Sequence, residues 1–270
     1  MGCKRVFIAV LVLAYYLGAD AASQAQQSSD VARVADLVQA GKLRAGVGVV
    51  APHWAVKDQS TGELRGVAVE LARALAERIH VPLVLVEYPS PPKVLDGAKD
   101  NAWDVGFLAI DPSRAAVVDF SPPYLEIDAT YLVAESSAIR NVADADKPGV
   151  RIAVTQKSVE EIVLTQAIKN AQLQGVDTIP AGFDLLRAGN VDVLAAPRPA
   201  LAQFSARLPG FRVLEDRFYQ ALAGIAVPKG RSGRLSYISD FVEQAKNSGF
   251  VQQSIDRAGV RGVQVAISPK

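Results

Sequence analysis

Residues 104–124 read DVGFLAIDPSRAAVVDFSPPY, a short apolar run followed by a sharp break and a second cluster of aromatic and proline residues. Asp104 to Ile110 has the length and composition of one strand buried on both faces. Asp111-Pro112 then sets an N-cap acid before a proline at the first helical position, which opens a short helix. Arg114 falls in the first turn of that helix, beside free N–H groups and the positive end of the dipole. A carboxylate arriving there would meet a forked guanidinium together with backbone donors. The alternative is a surface arginine paired with Asp111 or Asp119.

Outward from this stretch, strands alternate with helices. Leu43 to Val50 and Val81 to Tyr88 read as strands, residues 65–79 as a helix with one apolar face, and Pro92 to Ala98 as a short helix. A helical spacing also covers residues 29–41, and Tyr131 to Ala134 closes this half as a strand. The second half repeats the theme. Strands are expected at Arg151 to Thr155, Val176 to Ile179, Val191 to Ala196, Phe211 to Leu214 and 220–228. Ser158-Val159-Glu160-Glu161 is a capping box opening a helix to about Ala171, and further helices lie near Phe183 to Ala188 and Pro199 to Leu208. Two more helices end near Gly259 and Gly262. Alternation of this kind implies parallel sheets flanked by helices. In such sheets the ligand lies outside the carboxyl ends of the strands. That rule nominates four loops: Ala51 to Trp54, Ile110 to Arg114, Thr155 to Ser158 and Ala196 to Arg198.

Composition removes much chemistry. The 270 residues carry 29 Lys+Arg against 28 Asp+Glu, a formal charge of +1, so no general field draws nucleic acid or an anionic membrane. One Cys excludes a disulfide framework and every Cys-rich metal site, and two His leave little for zinc or for a serine triad. Gly46-x-Gly48-x-x-Ala51 mimics a dinucleotide fingerprint, but those glycines lie inside a strand instead of opening a helix. No catalytic residue, metal or cofactor is expected. His53 reads as a hydrogen-bonded structural residue, and Trp54 as either a stacking surface for a solute or a cap on the core.

Residues 1–25 read MGCKRVFIAVLVLAYYLGADAASQA: Lys4 and Arg5, then twelve apolar residues, then two small-x-small sites. This is the order of a cleaved secretory signal, and the run is too short to span a bilayer. Export would take the only Cys and the only Met with it and bring the formal charge to zero.

From Leu37 to about Ala266 the chain resembles the family 3 extracellular solute-binding proteins, the periplasmic receptors of polar amino-acid ABC importers. The matching pieces are AGKLRAGV, Gly66 to Ala72, Pro112-Ser113-Arg114, Val118 to Tyr124 and Gly224 to Gly230. The resemblance implies a two-lobe α/β fold of the type II periplasmic-binding-protein kind, with two mixed or parallel sheets and two hinge crossings. Lobe one would be 40–132 plus 227–262, lobe two 133–226, and 263–270 a tail. It implies a monomer that closes on a solute and docks on an inner-membrane permease driven by an ATPase. Arg114 matches the arginine that grips the ligand carboxylate, Trp54 an aromatic of the first loop, and Ser158 the hydroxyl at the second lobe's helix start. With Ala109, Asp111, Gln156, Lys157, Pro197 and Arg198 these make up the expected ligand contacts.

Three positions depart from the pattern. Asp111 replaces a Ser or Thr and is expected to turn away and cap its own helix, and Lys157 replaces a small Gly. The acid that pairs with the ligand's ammonium should fall near Pro197, where no side chain can accept it. The expectation is therefore a small carboxylated solute, an α-amino acid or a related organic acid. Two alternatives share the architecture: a sensor for a membrane signalling protein, and a cyclohexadienyl dehydratase. The second needs a positioned acid such as Asp111, and the sequence shows no paired acid and base.

Overall fold

Leu43–Gly48 forms β1, buried along nearly its whole length because it has a parallel neighbour on each side. The computed structural model describes Val38 and residues 41–267; the expected signal 1–25 and nearly all of the helix expected over 29–41 lie outside the described residues. A small hairpin of β2 (Val56–Lys57) and β3 (Leu64–Arg65) leads to helix α1 (Val67–Arg78), whose Val67, Leu71 and Leu75 pack on the sheet. Next come β4 (Leu83–Tyr88), α2 (Pro91–Lys99), β5 (Val105–Ala109), a single 3₁₀ turn at Pro112–Ala116 and β6 (Val118–Phe120). The chain then crosses on β7 (Leu125–Ala134). The second lobe holds β8 (Arg151–Thr155), α3 (Val159–Ala167), β9 (Gln172–Val176), α4 (Ile179–Arg187), β10 (Val193–Pro197), α5 (Arg198–Arg207) and β11 (Phe211–Val213). It returns on β12 (Tyr219–Pro228) to α6 (Ser232–Asn247), α7 (Phe250–Ala258) and β13 (Val263–Val265).

The strand order is β4-β1-β5-β12-β7-β10-β8-β9. Pairing is parallel within each outer wing and antiparallel wherever a crossing strand takes part. The two expected sheets are thus hydrogen-bonded into one network through the crossings. β12 pairs β5 over Ala223 to Ala226 and β7 over Tyr219 to Ala223, while β7 pairs β10 over Ala129 to Val133. Each crossing strand changes partner midway along its own length, at Ala129 on β7 and at Ala223 on β12. The lobes are therefore joined by laddered backbone and not by slack linkers.

Several boundaries differ from the sequence expectation, for local reasons. The strand expected at Val176 to Ile179 lies a few residues earlier, at Gln172–Val176; it is a largely exposed edge, so its polar pattern hides it. Ile179 instead begins α4, whose N-cap Thr178 accepts the Ala181 N–H at 3.2 Å. Helix α3 stops at Ala167 because Ile168 turns extended and the Asp146 carboxylate gathers the N–H groups of Lys169, Asn170 and Ala171. The segment expected as a tail begins with β13, paired to β7.

Glycine at position 46 has a packing cause. A Cβ on Gly46 would stand 2.7 Å from the indole of Trp103, and Gly97 and Gly106 close on the same ring at 2.9 Å each. Gly46 and Gly106 face each other across the β1–β5 ladder, so the fingerprint-like spacing makes room for a buried tryptophan, not a pyrophosphate. Gly66 is a different case. Its φ of 143° lies where side chains are strained, and a Cβ there would meet the Trp54 and Pro52 carbonyls at 2.5 and 2.7 Å. The Val67 N–H donates to the Pro52 carbonyl at 3.0 Å, which fixes the loop that carries His53 and Trp54.

Candidate functional site

The carboxyl ends of β1, β5, β8 and β10 converge on one cavity between the lobes, as the α/β rule requires. Its free space is about 50 Å³. A buried water needs roughly 10–15 Å³ on this scale, so about four waters, or a solute of comparable size, fill it. Most of the wall is apolar: Val50, Ala51, Trp54, Pro89, Ala109, Ile127, Val159, Ile179, Ala195, Ala196, Pro197 and Ala221 all contribute. The polar lining is short, namely His53, Ser90, Arg114, Thr155, Ser158 and Glu160.

Arg114 is placed by the turn that follows β5. Asp111 Oδ1 accepts the Ser113 N–H at 2.8 Å and also the Ser113 hydroxyl, so Asp111 caps its own helix and does not line the cavity. That cap orients the turn, and the Arg114 guanidinium donates through Nη1 to the Ala109 carbonyl at 2.7 Å. Arg114 is 4% exposed. Burial presses its pKa below the ordinary arginine value, opposed by the charges of Glu160 and Asp111. A guanidinium held this way, with donors left over at a cavity wall, has the geometry that pairs with a carboxylate.

On the opposite lobe, Ser158 lines the cavity and caps α3, its Oγ accepting the Glu161 N–H at 3.1 Å. The expected capping box is half formed: the Glu161 carboxylate accepts from the Lys157 N–H at 2.6 Å, one residue before the cap. The adjacent Glu160 turns the other way and lines the cavity, 9% exposed. Burial pushes its carboxyl up, against the pull of its own backbone N–H, the Ser158 hydroxyl and the Arg114 charge. Sequence reasoning had Glu160 only as a member of the capping box.

The remaining expected contacts divide. Trp54 (3% exposed) and Ala109 line the cavity, and Trp54 also packs in the core. Pro197 is also in the wall, as the last residue of β10. Gln156 and Lys157 do not line it; with Ser90, Asp177 and Thr178 they border a separate groove. Lys157 adopts a φ of 60°, a conformation that costs a side-chain-bearing residue roughly 1–2 kcal/mol. Arg198 is a correction. It begins α5 on the side away from the cavity, where its guanidinium donates to the Leu214, Glu215 and Asp216 carbonyls at 2.6, 2.9 and 3.0 Å and pairs with Asp128 at 3.7 Å. It braces the crossing.

His53 also departs from expectation. Its ring is 0% exposed and 5.0 Å from that of Trp54, and neither ring nitrogen has a hydrogen-bond partner. Burial alone lowers its pKa to about 3. The unfolded chain, with an ordinary histidine near 6.5, takes up the proton first as pH falls. Folding stability should therefore decline from about pH 6.5 down toward about pH 3, by roughly 1.4 kcal/mol per unit, or about 2 kcal/mol at pH 5. Urea unfolding at about pH 7 and pH 5 checks this. His53→Leu should remove most of that loss, and an unchanged slope in the variant would assign it to other groups.

Among the described residues, no helix is long and apolar enough to cross a membrane, and no group of three or more His, Cys, Asp or Glu could hold a metal ion.

Comparison with known proteins agrees with this geometry. The profile of the bacterial extracellular solute-binding proteins, family 3, matches residues 43–258. The glutamine-binding protein of Geobacillus stearothermophilus is 25% identical over 215 residues, covering 78% of this chain and 81% of its own. An ABC transporter binding component from Wolinella succinogenes, solved with lysine, superposes with a TM-score of 0.73 at 24% identity, over 81% of this chain and 96% of that one. An ancestral amino acid-binding protein, a precursor of cyclohexadienyl dehydratase, does so with a TM-score of 0.70 at 25% identity, over 80% and 95%. The fold is the type II periplasmic-binding-protein fold, and the matched family is one of solute-binding proteins. With a profile match that spans both lobes and the cavity between them, the chain belongs to the bacterial extracellular solute-binding proteins of family 3.

Proposed function

We propose that the protein captures a small carboxylated solute between its lobes and delivers it to an ABC permease, with a partner ATPase driving import. Lobe one comprises 40–132 plus 227–262 and lobe two 133–226, with β7 and β12 as the crossings. Residues 1–25 act as a cleaved export signal, so the mature chain works in the periplasm, as a monomer. The observation that carries this reading is Arg114, a buried guanidinium whose fixed donors face an apolar cavity the size of a small molecule. In such a site a carboxylate is the complementary group, because it alone accepts both arms of the guanidinium fork and meets its charge directly. The relatives are named for amino acids, which supports the solute class.

Mass spectrometry of small molecules released by denaturing freshly purified protein tests this. The expected result is one dominant carboxylated species, stoichiometric with protein and exchangeable in calorimetry. Recovery of a phosphorylated or neutral sugar in its place would overturn it.

A further inference from the structure

Resting on the proposed solute-binding role, we infer that Glu160, and not a residue at the end of β10, receives the ammonium group of the solute, so that the site selects compact zwitterionic α-amino acids over amine-free acids. Arg114 and Glu160 come from opposite lobes and line the same cavity. Both are more than nine-tenths buried and they carry opposite charges. A zwitterion offers the matching pair, carboxylate to Arg114 and ammonium to Glu160, so each buried charge gains a direct partner when the lobes meet around it.

The rest of the wall brings hydroxyls but no second acidic side chain to compete for the ammonium. β10 ends in Ala195, Ala196 and Pro197, which bring no side-chain acceptor, and Arg198 is committed to carbonyls on the other side. Asp111 holds Ser113. Of the two adjacent acids in α3, Glu161 is occupied by the Lys157 N–H, while Glu160 alone reaches the cavity. An acid in the first turn of a helix serves the dipole equally well at the surface. Its burial among apolar walls, with the carboxyl pushed up by desolvation, needs a ligand cation to offset it. An amine-free acid would instead set a second carboxylate near Glu160 and force it to take up a proton. The free space, about four waters or roughly 120 Å³ of liquid volume, limits the solute to a short side chain, and the walls make that side chain apolar.

The test uses the full mature protein, the twenty standard L-amino acids and the amine-free acid matching each. A thermal-shift screen finds the best binder, and calorimetry then compares it with its deaminated counterpart in the parent, Glu160→Gln, Glu160→Asp and Arg114→Met. The parent should prefer the amino acid at least tenfold. Glu160→Gln should weaken amino-acid binding at least tenfold while holding or improving the amine-free acid, and Glu160→Asp should retain part of the preference. Cooperative unfolding of each variant shows that the fold is kept. If Arg114→Met abolishes binding but Glu160→Gln stays within about twofold of the parent, the assignment to Glu160 falls and the carboxylate receptor stands. If no carboxylated probe binds the parent, both fall.

Discussion

Replacing Arg114 by methionine is expected to weaken solute binding by roughly 100- to 1,000-fold while thermal unfolding stays cooperative. The guanidinium is 4% exposed and anchored by Nη1 to the Ala109 carbonyl at 2.7 Å, so its remaining donors are held in place before any ligand arrives. Hydrogen bonds to a charged partner contribute about 1.5–3 kcal/mol each, and a forked pair at the lower end of that range about 3–4 kcal/mol. At 1.4 kcal/mol per tenfold this gives the stated loss. Methionine fills similar volume without a charge, so the cavity does not collapse. Arg114→Lys should recover only part of the affinity, because an ammonium cannot fork. Isothermal calorimetry with the purified solute measures both variants, and an Arg114→Met affinity within threefold of the parent would remove this residue from the site.

Trp103→Ala should cost about 3–5 kcal/mol of folding stability, the range for emptying a buried aromatic site. Trp103 is 0% exposed and packs with Val94, Leu108, Val118 and Ala226 on the sheet face opposite the main core. Its Nε1 donates to the Val94 carbonyl at 2.8 Å, so truncation also orphans a buried acceptor. Three glycines in contact with the ring have no side chain to move into the space. Loss of Trp103 would loosen α2 against β5 and the Pro89–Ser90 segment that lines the cavity. Chemical denaturation of the parent and variant reads the difference. A loss below about 1 kcal/mol would mean that the layer relaxes around the gap.

Much of the fold was legible because it depends on short-range pattern. β1, α1, β5, β8 and β12 lie within a few residues of the sequence expectation, while β7 begins six residues before the expected Tyr131; elsewhere the cause of a difference is local: β9 is a polar edge strand, and Thr178 caps a helix where a strand was expected. The capped turn at Asp111-Pro112 is equally local, which is why Arg114 could be nominated as a ligand contact without coordinates. Glu160 could not. It sits beside Glu161, and successive helical residues point about 100° apart, so the sequence cannot say which acid turns inward until the helix axis is set against the opposite lobe. Arg198 failed for the same reason: Pro197 ends a strand at the cavity, and one residue later the chain has turned its side chain toward the crossing.

The alternating α/β order, the family resemblance and the position of one cation at a strand end can all be read from the amino acids alone. The first and the last follow from periodicity, capping and proline placement over spans of ten residues or fewer, whereas the resemblance rests on matching motifs spread along the chain. Packing in three dimensions is what joins the two sheets into one ladder, buries His53 without hydrogen-bond partners, and brings Arg114 and Glu160 to the same cavity from opposite lobes. Charge complementarity across a cleft depends on the relative placement of segments some 46 residues apart, and that placement comes from packing rather than from any property either segment carries alone.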